Sequence, residues 1–205
     1  MKLGLGLYRH MLTPDNFRFA RQAGATHIVA HLTNYFANDP RVPTTQQDGW
    51  GVVHADDDVW TKESLRTLKA AVNAEGLELE AIENFNPVHW HDVLLDGPQK
   101  AAQLERLKEI VRNLGAVGIP IMGYNFSIAG VWGHVEGPYA RGGATAVGFL
   151  GEAGPEETPI PNGMVWNMIY DPAAAAGTLA DITPDELWQR VADFLAVMVP
   201  VAEEA

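Results

Sequence analysis

No cysteine occurs in the chain, which excludes disulfides, thiolate nucleophiles and zinc–thiolate sites among these residues. Basic side chains are scarce as well: 14 Lys and Arg stand against 26 Asp and Glu, a formal net charge of −12. Coating a nucleic acid or an anionic membrane takes clustered Lys and Arg to neutralise phosphate, so neither partner is expected. No apolar run reaches the roughly 18 residues of a membrane span. The opening MKLGLGLYRHML is too short and interrupted for a secretory leader, so a cytoplasmic protein is the expectation. What is present is ordinary globular composition, 205 residues with 47% apolar and 20% charged, enough for one domain with a sizeable core.

Hydrophobic periodicity alternates between strand and helix. Lys2 to Tyr8 has period two, with Leu3, Leu5 and Leu7 on one face and Gly4, Gly6 and Tyr8 on the other, which predicts a strand whose glycine face permits close approach. Thr13-Pro14-Asp15-Asn16 opens a helix: threonine caps, proline suits the first position and aspartate the positive end of the dipole. Thr26 to Leu32 reads as a buried strand, and the polar stretch from Asn34 to Trp60 as an irregular excursion. Thr61 starts a second helix ending at Gly76, and Leu77 to Phe85 is the third strand. A loop holding Pro87, His89, Trp90 and His91 is expected next. A helix follows from about Pro98, striped by Leu104, Leu107, Ile110, Val111 and Leu114 and ended by Gly115 and Gly118. Ile119 to Phe126 is the fourth strand. Residues 127–182 form a long Gly- and Pro-containing insertion, of a length that usually means a lid or binding loop. Thr183-Pro184-Asp185-Glu186 then repeats the first helix start and adds a capping box.

The order βαβαβαβα demands a mostly parallel sheet with right-handed crossovers. Half of a (β/α)8 barrel and a complete four-stranded open sheet both satisfy it. The last residues, Val199 to Ala205, stop where another strand would be the natural continuation. A barrel takes about 250 residues, so the reading is an incomplete barrel: one domain over residues 1–205, with 127–182 as a lid-like insertion.

In parallel α/β folds the reactive groups stand at the carboxyl ends of strands. That filter selects Tyr8, Arg9 and His10 after the first strand, His31 and Asn34 after the second, Glu83 and Asn84 after the third, and Asn125 after the fourth. Arg9 is suited to clamping a carboxylate, or to a surface ion pair. His31 shares its parity with His27 and Val29, which also suits a buried, hydrogen-bonded histidine. Glu83 is open as ligand, base or orienting partner. Asn125 and Tyr124 suit hydroxyls, or a cap on the sheet. Trp132, His134, Arg141 and Trp166 lie in the insertion, where aromatic and basic groups suit a polyhydroxylated anion or simply hold the insertion down. His89-x-His91-Asp92 has the spacing of a chelate on an extended segment, but a transition metal takes three or four ligands and the others are not evident. Gly4-x-Gly6 begins a dinucleotide fingerprint, yet Arg9 stands where its third glycine belongs. His54 with Asp56 to Asp58 reads as a solvated loop.

GLYRHMLTPDNFRFARQAGATHIVAHL, LELEAIENF, IMGYNFSIAGVWG and PNGMVWNMIYDP together resemble the amino-terminal half of the mannonate dehydratase family. The resemblance implies a xylose-isomerase-like TIM barrel, of which this chain holds about four βα units. It implies a hydro-lyase that removes water from D-mannonate to give 2-keto-3-deoxy-D-gluconate in hexuronate catabolism, with a small sugar acid as partner. It also implies Mn2+ or another divalent cation as cofactor, whose ligands (two histidines, a cysteine and an aspartate in the family) are expected beyond residue 205. The residues expected to face substrate are Tyr8, Arg9, His10, His31, Glu83, Asn84, Asn125, Trp132 and Trp166, with no proton-transfer role assigned to any of them. A sugar isomerase or epimerase of the same barrel class, and an inactive half-barrel fragment, are the alternatives. Two unpaired sheet edges make a homo-oligomer one of the states the sequence allows.

Overall fold

Four parallel strands, each followed by helix, carry the architecture in a computed structural model that describes residues 1–35, 51–55, 57–130, 134–149 and 159–205. In chain order these are β1 (Gly4–Leu7), α1 (Pro14–Gln22), β2 (His27–Ala30), β3 (Gly51–Val52), α2 (Lys62–Ala74), β4 (Glu78–Glu83), α3 (Pro87–Leu95), α4 (Lys100–Val117) and β5 (Ile121–Gly123). There follow β6 (His134–Gly137), β7 (Ala146–Phe149), β8 (Met164–Val165), β9 (Met168–Ile169) and α5 (Pro184–Glu204). The main sheet runs β1-β2-β4-β5, every neighbouring pair parallel.

The helix starts follow from local chemistry. Thr13, Thr61 and Thr183 each accept a bond from the backbone N–H three residues on, satisfying one of the orphan donors of the first turn. At Thr183 the box closes, with Glu186 accepting from the Thr183 backbone at 2.8 Å. Gly118 ends α4 at φ +73°, where a side chain would be strained.

One element departs from the sequence reading. Pro87 to His91 is not a loop but the start of α3, capped by the Asn86 side chain with Pro87 in the first turn. The element lacks a polar stripe because nearly all of it is buried: His89, Trp90, His91, Asp92, Val93 and Leu94 are each under a tenth exposed. Helical periodicity is legible only when one face meets water. His89 and His91 therefore point to different sides of a helix rather than along an extended segment, and the proposed chelate spacing is lost.

The core lies between the sheet and its helices, around Phe17, Ile28, Leu65, Leu79, Ile82, Leu107, Ile110 and Phe194. The opposite face of the sheet is open: Gly4 and Gly6 are exposed rather than crowded, and Ile121 is 47% exposed. The polar excursion and the insertion, irregular by sequence, meet in a small sheet ordered β3-β9-β8. β6 and β7 form a separate antiparallel hairpin.

Candidate functional site

The first determinant of the site is a register break. His27 and Ile28 of β2 pair with Glu78 and Leu79, but Val29 and Ala30 pair with Ala81 and Ile82, so Glu80 is an extra residue in β4. Strict alternation would put Glu83 on the same face as Leu79, in the core. The bulge reverses the parity, so Ile82 joins Leu79 in the core while Ala81 and Glu83 face the open side with Val29 and His31. Glu80 itself pairs with Lys2 and stands 3.5 Å from His27 Nε2, at the amino-terminal end of the sheet.

At the carboxyl ends of the strands, His31 Nε2 lies 3.5 Å from Glu83 Oε2. Tyr35, buried to 1% exposure, links these ends: its hydroxyl is 3.4 Å from His31 Nδ1 and accepts from Asn84 Nδ2 at 3.2 Å. Asn84 adopts φ +64°, a left-handed conformation that asparagine tolerates better than most side chains. Tyr8 closes the other side of the histidine, with ring centroids 5.0 Å from His31 and 5.7 Å from Tyr35.

The insertion contributes Trp166. Val165 and Met168 pair across a two-residue turn whose central residues, Trp166 and Asn167, both have positive φ (50° and 58°), the geometry that matches the twist of a tight hairpin. That conformation is costly for a bulky side chain. It is held by the Trp166 N–H bond to Ile128 O at 2.7 Å and by Gly130, where a Cβ would fall 1.9 Å from the Asn167 side chain. The indole meets Tyr35 edge-on at 5.4 Å. Trp166, Glu83, Asn84, Asn125, Val29 and Gly123 line an open pocket of about 430 Å³.

Electrostatics separate the two titratable rings. Burial pushes the His31 pKa down, partly opposed by the Glu83 charge, so its imidazole is neutral near pH 7. Burial lifts Tyr35 to about 12, against the pull of the hydrogen bond from Asn84. The hydroxyl therefore keeps its proton.

The structure thus brings together Tyr8, His31, Glu83, Asn84 and Trp166, and sets Asn125 on the same pocket. Arg9 and His10 lie in the short helical turn after β1 (Arg9–Met11), Arg9 half-buried and His10 stacked at 6.4 Å on Tyr8. Trp132 lies outside the described residues. Tyr35 was missed, although it stands four residues after His31, in the segment leaving the same strand. Among the described residues no three His, Cys, Asp or Glu side chains converge to hold a metal. His91 instead stacks on Tyr170 at 3.9 Å, and Asp92 accepts from the Gln99 N–H at the start of α4. No described helix is long and apolar enough to cross a membrane.

Comparison with known proteins gives a consistent result. Residues 8–205 match the sequence model of a family described as D-mannonate dehydratase (UxuA). The mannonate dehydratase of Streptococcus uberis is 30% identical over 154 residues, covering 71% of this chain and 43% of that protein. That of Streptococcus suis is 30% identical over the same length, covering 71% and 42%. The crystal structure of mannonate dehydratase from Streptococcus suis serotype 2 superposes with a TM-score of 0.61 at 23% identity, over 100% of this chain and 49% of that one. The four βα units are accordingly an incomplete TIM-barrel-like fold, and the chain spans less than half the length of these relatives.

Proposed function

Because the chain belongs to the D-mannonate dehydratase (UxuA) family, we propose that it carries the substrate-facing part of a hydro-lyase that removes water from D-mannonate to give 2-keto-3-deoxy-D-gluconate. The observation that carries this reading is the set of polar and aromatic groups at the carboxyl ends of the strands: His31 and Glu83 at 3.5 Å with Tyr8 against the imidazole, and Glu83, Asn84, Asn125 and Trp166 around one pocket. A sugar acid presents several hydroxyls and a carboxylate. Amide, imidazole and carboxylate groups can address the hydroxyls, and an indole gives an apolar wall for the C–H faces. Arg9, in the turn after β1, is suited to the substrate carboxylate. Dehydration of this kind removes a proton next to a carboxylate, so negative charge must be stabilised as it develops. A divalent cation, manganese in the first instance, would supply that stabilisation when bound. The described side chains do not fit such an ion, so these residues bind and orient substrate and no step is assigned to them through a metal. Hexuronate catabolism in the cytoplasm is the setting this reaction suits.

The test is a titration of the chain with D-mannonate, followed by indole fluorescence and by the imidazole NMR signals. The expected result is a saturable change at Trp166 and His31, weakened at least tenfold in Glu83→Ala, the loss of one charge-assisted bond of about 1.5–3 kcal/mol. Signals from both residues that ignore mannonate would overturn the reading.

A further inference from the structure

We propose that two copies of this chain associate side by side into one closed ring of eight strands, the β5 edge of each copy pairing with the β1 edge of the other. The main sheet runs β1-β2-β4-β5, so among the described residues β1 and β5 each have a strand on one side only. A barrel of this class closes with eight strands, and two copies supply them. A two-fold axis through the ring covers all four edges with two identical seams.

The two edges are complementary. Beside β5, α5 stands off the sheet and leaves an apolar groove of about 410 Å³, lined by Leu114, Met122, Tyr124, Leu195, Met198 and Val199. The β1 edge carries apolar groups to fill it. Leu3 is 52% exposed, although it shares the helix-facing side of β1 with buried Leu7. Phe19 of α1 is 63% exposed. Its neighbour Arg18 reaches Glu75 just past α2, and Phe19 lies a further 100° round the helix, on the flank turned from α2. Backbone groups match as well. The Leu3 and Leu7 carbonyls bond toward β2 and that of Gly123 toward β4. By alternation the groups of Gly4, Gly6 and Met122 point outward along the two edges, where a parallel ladder needs them. Charge follows the same pairing. α5 ends against Gly115, near the start of β5, and its last turn, a negative helix end, carries Glu203 and Glu204. Lys2 precedes β1 at the same rim. Val29, Glu83 and Asn125 line the inner face of the sheet, so closure sets two such pockets at one mouth of the ring.

Sedimentation equilibrium of the 205-residue chain over about 1–100 μM, the range of moderate affinities, measures the association. The expected mass is twice the 22.3 kDa of one chain. Phe19→Arg and Val199→Glu each place a charge in both seams and weaken association by about tenfold or more, as loss of an interface anchor does. Phe19 and Val199 are exposed in the single chain, so both variants keep their helices, which far-UV circular dichroism checks. Mixing the two variants one to one gives the decisive result. One seam is then wild type on both sides and the other joins an arginine to a glutamate, so the species of twice the mass returns. A dimer that ignores Phe19→Arg, as pairing of β5 on β5 would, overturns the proposal, and so do variants that stay apart when mixed. A wild-type chain that stays at 22.3 kDa throughout, the outcome if a different polypeptide fills the groove, overturns it too, as does an open series of larger assemblies.

Discussion

Gln103 of α4 is buried to 6% exposure, and its side-chain amide is bonded to the backbone of α3. Its oxygen accepts from the N–H of Asp92 at 2.8 Å and of Val93 at 3.3 Å, while its nitrogen faces Val88 O at 3.4 Å. Replacing it by leucine keeps most of the volume and removes every one of these partners. The shortest bond is the one that matters: an orphaned buried N–H costs about 1–3 kcal/mol, and leucine burial returns about 1 kcal/mol at most. The expected net loss for Gln103→Leu is about 1 kcal/mol. For a chain of this size that lowers the melting temperature by about 2–4 °C. Urea unfolding followed by tryptophan fluorescence measures it, because Trp90 lies in α3. Gln103→Glu supplies the control. It keeps the accepting oxygen but buries a second carboxylate beside Asp92, so its folded pKa is raised above the unfolded one. Its deficit is then largest at neutral pH and shrinks as acid protonates it. A leucine variant within about 0.5 kcal/mol of wild type, the scatter of a neutral surface change, would refute the view that this amide holds α3 in place.

Three further outcomes are expected. Glu83→Gln removes the charge that partly sustains His31 protonation, so the His31 titration moves to lower pH; an NMR titration that moves upward would contradict the pairing. Tyr35 ionises near pH 10.0 in the unfolded chain and at about 12 when folded. Its contribution is intact below pH 10 and is lost as pH rises from there toward 12, by about 2–3 kcal/mol; Tyr35→Phe unfolds with a flatter alkaline limb. Ile82→Ala, on the fully buried face of β4, costs about 2–5 kcal/mol, whereas Ile121→Ala on the open face costs under about 1 kcal/mol, a contrast that chemical denaturation resolves.

The order of strands and helices was legible in the sequence, because the helices with a water-facing side carry a periodic stripe and three of them a capping threonine. Thr13, Thr61 and Thr183 occupy those caps in the structure. The place of His31, Glu83 and Asn84 at the strand ends was also legible, since parallel sheets put the groups that follow each strand at their carboxyl ends. Other features depend on partners far along the chain. α3 was hidden because its polar residues are buried against Gln103 and Tyr170 rather than exposed on one face. Tyr35 gains its role only where β2 and β4 lie side by side, and Trp166 only where a hairpin from the insertion reaches that edge. Glu83 shows the division most plainly. Alternation along LELEAIENF assigns it to the face of Leu79, and a single extra residue at Glu80, meaningful only through its pairing with β2, turns it instead toward His31. Periodicity is a property of one segment and can be read along it. Register is a relation between two segments, decided when they meet.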